Sequence, residues 1–243
     1  TAGYCADGTC NSETNCPPPN VGWPFESCPH AYSGNIGIVL GTDISVQASS
    51  GIGLTQNANA AEPWQLGTET MPYYYPFVLQ SQSTPLFDFP SWQPELVIIS
   101  LGGNDYNHQN GDVPSNATFT NATNSFLLQV YEDNPSSVII QICGQGYPAE
   151  YSLDPDNNRC APCPHVETAT YAFKKNNPKY ALRTHYLFVP CDGSVVTDDM
   201  EGCNGHKDDL GGWTVAQFAA PQIRKIMGWE EPTNSLGVLN YGG

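Results

Sequence analysis

Basic side chains are scarce in this 243-residue chain, which has eight lysines and arginines against 24 aspartates and glutamates and a formal net charge of −16. A surface this acidic repels nucleic-acid phosphates and anionic membranes, so neither is expected as a partner. No apolar run approaches the roughly 20 residues that span a bilayer. The first residues also lack the charged and apolar regions of a signal peptide, so any targeting segment is expected to have been removed already.

Low-complexity linkers and internal repeats are also missing, and a hydrophobic content of 40% is enough for one large core. Residues 1–230 are therefore interpreted as a single domain. Within it, residues 5–30 are rich in Cys, Pro, Asn and Gly, which predicts a disulfide-rich N-terminal loop. Residues 231–243 are interpreted as a separate C-terminal tail.

Apolar runs that stop at glycines predict the strands of a parallel sheet. PELVIISLGGND (94–105) and SSVIIQICGQG (136–146) have the continuous pattern of strands buried on both faces, and 184–190 has it more weakly. An alternating strand with a Gly-rich turn is predicted at 41–53.

Helical spacing separates or follows these strands at 123–132, 165–176 and 211–227, and Pro221 should kink the last helix. Strands that alternate with helices predict a doubly wound α/β fold. In such folds the functional groups lie at the carboxyl ends of the strands.

Nine cysteines indicate an oxidising compartment. Two glycosylation sequons, at Asn116 and Asn121, occur in what the sequence predicts to be a polar loop. Together they favour a glycoprotein secreted through the eukaryotic pathway over chance triplets. An odd cysteine count leaves one thiol free or bonded outside this sequence. The residues assigned to disulfides are Cys5, Cys10, Cys16, Cys28, Cys160, Cys163, Cys191 and Cys203.

The CAPC stretch at 160–163 has a spacing found in zinc and redox sites. No second pair of ligands is evident in the sequence. Disulfides from both cysteines to other partners are therefore favoured over a metal site.

Three short stretches fall where the predicted fold places a site: SSGIG (49–53), GGND (102–105) and GCNGH (202–206). They resemble blocks of the SGNH (GDSL-type) hydrolases, and most closely those of carbohydrate esterase family 2, which removes acetyl groups from polysaccharides. The similarity runs from Gly22 to Gly228. It implies a flavodoxin-like three-layer fold with sheet order 2-1-3-4-5, a polysaccharide or acylated sugar as substrate, and neither cofactor nor metal.

The resemblance also implies roles for three residues. His206 matches the catalytic base, and imidazole suits that role because it titrates near neutrality. Asn104 matches the side-chain oxyanion donor and Gly51 the backbone N–H donor. Each has a plainer interpretation: Gly-Asn-Asp is common in turns, and a histidine before a helix is often a cap or a surface residue. The four other histidines are interpreted as structural.

Two features depart from the family pattern. Many members have an aspartate three residues before the histidine, where this chain has Cys203. Backbone carbonyls, Asp199 or Glu201 are the alternatives for orienting the imidazole, and Cys191 is a candidate disulfide partner for Cys203. The family's first block reads Gly-Asp-Ser-x-Thr-Ala-Gly-Tyr, and the recorded sequence begins at that threonine, so it contains no nucleophilic serine.

The first strand of the sheet, which ends at that serine, must therefore come from outside residues 1–230. Three sources are open: residues upstream of Thr1, a bound cleaved peptide, or the tail segment SLGVLNYGG (235–243). An upstream serine predicts a secreted carbohydrate O-deacetylase. A tail strand would place Gly242 at the serine position and predicts an inactive, glycosylated extracellular protein that assembles by strand donation, for example into filaments.

Overall fold

The structure is a computed structural model that describes residues 26–58, 69–107, 112–144, 160–200 and 206–230. Within these ranges the helices are α1 (Tyr32–Leu40), α2 (Met71–Tyr74), α3 (Asn116–Asp133), α4 (Cys163–Asn176) and α5 (Asp209–Met227). The strands are β1 (Phe77–Leu79), β2 (Gln82–Leu86), β3 (Leu96–Ile99), β4 (Val138–Gly144) and β5 (Thr184–Val189). Short 3-10 turns cover Phe89–Ser91, Pro178–Arg183 and Asp198–Met200.

The central sheet is parallel, in the order β3-β4-β5, and this confirms the predicted α/β class. Leu96 lies opposite Val138, and Ile139 lies opposite Thr184. A separate antiparallel hairpin, β1-β2, was not predicted.

Helices cover both faces of the sheet, and successive side chains of β4 point into two different buried clusters. Ile139 and Cys143 join the buried cluster formed with α3 and α4. Ile140 and Ile142 join the cluster formed with α1 and α5. The described part of the chain is therefore a three-layer arrangement with two helices on each face.

The strand predicted at 41–53 does not form. Residues 42–49 belong to no ladder among the described residues, and Ile44 and Val46 are 47% and 37% exposed. The physical reason is that no described strand pairs with this segment or with the free edge of β3.

The sequons lie in a helix and not in a polar loop, which corrects that prediction. The Ser115 hydroxyl accepts the Thr118 N–H at 3.1 Å and caps α3. Buried residues at helical spacing, beginning with Phe119 and Thr123, then carry α3 well ahead of its predicted start. Both Asn116 and Asn121 have exposed side chains.

The disulfides confirm that Cys160 and Cys163 each bond elsewhere, but the pairing differs from expectation. Cys160 bonds to Cys191, and Cys163 bonds to Cys143. Cys191 is thus not the partner of Cys203, and Cys143, which had no assigned disulfide, is bonded. Among the described cysteines, Cys28 is a free thiol rather than a bonded one. The assignments of Cys5, Cys10, Cys16 and Cys203 fall outside the described residues.

No helix within the described ranges is both long and apolar enough to cross a bilayer.

Candidate active site

Two loops meet at the carboxyl end of β3, where a parallel sheet places its functional groups. One covers residues 50–58 and the other follows β3 through residues 100–107. Gly51 and Gly102 have φ angles of +76° and +117°, a region that glycine adopts without strain. The Gly51 carbonyl accepts the Ala58 N–H at 2.8 Å, which closes the first loop on itself.

Asp105 joins the two loops through its carboxylate. Its side chain is completely buried and accepts the backbone N–H groups of Leu54, at 2.9 Å, and Thr55, at 2.6 Å. The Thr55 hydroxyl donates to the same carboxylate at 2.6 Å. In return, the Gln56 side-chain amide donates to the Asp105 carbonyl at 2.9 Å. A buried carboxylate with this many donors fixes the course of residues 54–56.

Gly53 lets the loop approach that carboxylate. A Cβ atom at this position would lie 1.9 Å from the Gln56 carbonyl oxygen and 2.8 Å from Asp105 Oδ2. Any other residue would push the loop away from the carboxylate, so the site needs a glycine here.

Asn104 faces the loop that carries Gly51. Its Nδ2 donates to the Ile52 carbonyl at 2.8 Å. The two predicted oxyanion donors are therefore brought to the same place, because Asn104 binds the carbonyl of the residue that directly follows Gly51. Their roles in catalysis remain predictions.

His206 has an exposed side chain and lies two residues before Asp208, the cap of α5. The Asp208 carboxylate accepts the Gly211 N–H at 2.8 Å, which starts the helix there. Because α5 follows β5, its N-terminus lies at the carboxyl edge of the sheet, the edge that carries the loops of Gly51 and Asn104. The alternatives for orienting the imidazole are only partly placed: Asp199 accepts a hydrogen bond from the Thr197 hydroxyl, and Glu201 and Cys203 lie outside the described residues.

Tyr106 and His165 form a stacked pair behind this edge, with ring centroids 4.2 Å apart. His165 Nδ1 is hydrogen-bonded to Asn116 Oδ1. Burial lowers the pKa of His165 and raises that of Tyr106. The pair packs α4 against the loop after β3, which agrees with the structural interpretation of this histidine.

In the ranges the structure covers, no group of three or more His, Cys, Asp or Glu side chains is arranged to hold a metal ion.

Sequence reasoning missed the part that Asp105 plays in holding the loop of residues 54–56. Asp105 lies in the GGND stretch, but its partners are mostly backbone N–H groups, which leave no residue pattern. The available signal was a carboxylate directly after a buried strand, next to a glycine-rich loop.

Comparison with known proteins gives consistent relatives. No protein-family model matches the chain. A curated acetylxylan esterase / glucomannan deacetylase of Cellvibrio japonicus is 24% identical over 162 residues, which is 65% of this chain and 38% of that protein.

Solved structures resemble nearly the whole chain. A family two carbohydrate esterase from Clostridium thermocellum in complex with cellohexaose has a TM-score of 0.73 and 22% identity, over 95% of this chain and 62% of its own. A carbohydrate esterase family 2 enzyme with a carbohydrate-binding domain from Corynascus thermopiles (Myceliophthora fergusii) has a TM-score of 0.74 and 24% identity, over 93% and 63%.

The chain spans less than two thirds of the length of each of these relatives. At these identities the likeness establishes the fold. It confirms the resemblance drawn from the sequence: this chain has the SGNH-like fold of the family 2 carbohydrate esterases.

Proposed function

We propose that this chain is most of the catalytic domain of a secreted carbohydrate O-deacetylase, whose nucleophilic serine lies on a segment ahead of Thr1. The observation that carries the proposal is the contact between Asn104 Nδ2 and the Ile52 carbonyl, which brings Asn104 next to Gly51 at the carboxyl edge of the sheet, as the two proposed oxyanion donors require. The acetylated-polysaccharide substrates of the curated relative, an acetylxylan esterase / glucomannan deacetylase, supply the substrate class.

The proposed reaction is serine ester hydrolysis. His206 takes the proton of the serine hydroxyl as its oxygen attacks the acetyl carbonyl, and the negative charge develops on the carbonyl oxygen. The Gly51 N–H and the Asn104 amide donate to that oxyanion. His206 then returns the proton to the departing sugar hydroxyl, and water releases acetate from the serine in a second cycle. No step requires a metal or organic cofactor.

We expect His206→Ala, made in the chain that includes the upstream serine, to lower kcat on an acetylated xylan or glucomannan about 10²–10⁴-fold. The reason is that no other group would take the serine proton. Acetate release with purified protein measures the effect.

His185→Gln is the matched control, because His185 lies near the amino end of β5, opposite Ile140 and away from the site. It should keep full turnover. A serine-containing preparation with no turnover on any acetyl ester would contradict the proposed function.

A second function, assembly through strand donation by residues 235–243, is favoured by one observation. Among the described residues, β3 pairs only with β4, so its other edge is open to an added strand. The two functions differ in which segment covers that edge.

A further inference from the structure

Thr123 is a buried threonine in the middle of α3. The side chain is 1% exposed, on the face of α3 that packs into the core. Its Oγ1 is buried and has no hydrogen-bond partner among the described residues. A buried hydroxyl without a partner destabilises a fold relative to an apolar group of the same shape.

The Ser33 and Tyr106 hydroxyls are also buried without a described partner, but two other buried threonines show how a threonine hydroxyl is satisfied here. Thr170 donates to the Val166 carbonyl at 2.7 Å and accepts the Gln141 side-chain amide at 2.6 Å. Thr184 donates to the Tyr180 carbonyl at 3.0 Å. Valine has the shape of threonine and a similar helix propensity, so folding alone would favour valine at position 123. The described contacts therefore give no folded-state reason for the hydroxyl.

Thr123 is the third residue of the sequon Asn121-Ala122-Thr123. Serine and threonine, the two residues accepted there, share only the hydroxyl group on Cβ. We propose that Thr123 is retained because its hydroxyl is read during N-glycosylation, and that Asn121 carries the glycan. Because the hydroxyl is inaccessible in the finished helix, the sugar is added before α3 folds.

The folded helix accommodates that glycan. The Asn121 side chain is exposed, on the opposite side of α3 from buried Thr123. No charged residue occurs from Asn116 to Tyr131, so the exposed face of this helix lacks the charges that usually hydrate one. An N-linked glycan supplies that hydration.

The sequon at Asn116 does not carry the same inference. Its Thr118 is exposed, and its hydroxyl is hydrogen-bonded to the Ser115 hydroxyl at 2.9 Å beside the helix cap. That hydroxyl has a role in the folded state, so its presence needs no other explanation.

The test is glycopeptide mapping of protein secreted from a eukaryotic host, with Thr123→Val compared with Thr123→Ser. We expect a glycan at Asn121 in the wild type and in Thr123→Ser, and none there in Thr123→Val. Occupancy of Asn116 should be the same in all three and is the internal control. The peptides are taken from denatured total protein, so the readout does not depend on folding of a variant.

A stability measurement separates the hydroxyl from the glycan. In an Asn121→Gln background, which removes the sugar, Thr123→Val should raise Tm by about 2–4 °C because the unpartnered hydroxyl is gone. An unmodified Asn121 in the wild type would overturn the proposal. So would a lower Tm for Thr123→Val in that background, since the hydroxyl would then have a folded-state partner. Neither readout depends on the proposed hydrolysis.

Discussion

Asp105→Ala is expected to lower the free energy of unfolding by about 3–5 kcal/mol, among the largest losses for a single substitution in this chain. The change removes the acceptor of the Leu54 and Thr55 N–H groups and of the Thr55 hydroxyl. These donors lie in a loop held against a fully buried carboxylate, so each would lose its partner without gaining full access to water. Urea unfolding measures the loss.

Asp112→Ala is the control, because it removes the same charge from an exposed side chain near the same loop. Its only described link to the loop is through the backbone carbonyl, which accepts from Gln56 Nε2 and survives the substitution. Hydrogen exchange locates the effect: the amides of Leu54 and Thr55 should exchange faster in Asp105→Ala and at the wild-type rate in Asp112→Ala. Equal exchange in both variants would show that the carboxylate does not hold the loop.

Loss of the Asp105 carboxylate should also lower the proposed esterase activity. The Ile52 carbonyl that Asn104 binds lies two residues before Leu54, so a loosened loop misplaces both proposed oxyanion donors. In the serine-containing chain, a conservative Asp105→Asn variant is expected to lower kcat more than it raises KM. Asp105 is fully buried, so the substitution leaves the surface side chains unchanged and disturbs groups that are proposed to act in the transition state.

The elements that could be predicted from the sequence are those whose hydrophobic pattern lies within a single segment of the chain. Continuous apolar runs correctly predicted β3, β4 and β5, and helical spacing predicted α4 and α5. Helix α1 was missed because Gly34 and Gly37 weaken its helical signal. These glycines serve tertiary contacts instead: a Cβ at Gly34 would lie 2.6 Å from the Cys28 carbonyl oxygen, and one at Gly37 would lie 2.4 Å from Ile44 Cγ2.

Pairing between distant segments was the part that the sequence could not supply. Cys160 and Cys163 are three residues apart, yet they bond to cysteines at the carboxyl ends of different strands, Cys191 after β5 and Cys143 in β4. Asp105 likewise acts on a loop 50 residues earlier in the chain. Contacts of this kind depend on how strands are ordered in the sheet, which local patterns do not encode.

The order of the sheet also indicates what should cover the free edge of β3. The chain passes from β3 through α3 to β4, and then through α4 to β5, with both helices on one face. Both connections move along the sheet in the direction from β3 to β5. Because crossovers between parallel strands are right-handed, a helix on the opposite face connects strands in the reverse direction, from the β5 side towards the β3 side. Helix α1 lies on that opposite face and leads into residues 42–49. A strand ahead of α1 would therefore lie beside β3, with residues 42–49 outside it.

Helix α5 satisfies the same rule, which is why the tail is the competing source of this strand. It lies on the face of α1, and its Arg224 donates to the Val39 carbonyl, so the two helices end side by side. A strand supplied either ahead of α1 or after α5 would run parallel to β3 and end next to Gly51 and Asn104. Of these two routes, a strand ahead of α1 could bring a serine to that point, whereas the tail would bring Gly242.

Extending the chain ahead of Thr1 by the proposed strand that ends in Gly-Asp-Ser is therefore expected to switch on acetyl-ester hydrolysis and to slow hydrogen exchange at the free-edge amides of β3. Replacing the added serine with alanine should keep that protection and lower turnover by about 10⁶-fold, since the strand would remain without its nucleophile. Deleting residues 235–243 from the extended chain should change neither. The same deletion can be made in the chain that starts at Thr1. If it speeds hydrogen exchange at the β3 amides or dissociates an oligomer, the tail is the strand that covers β3. Assembly is then the better explanation of this fold.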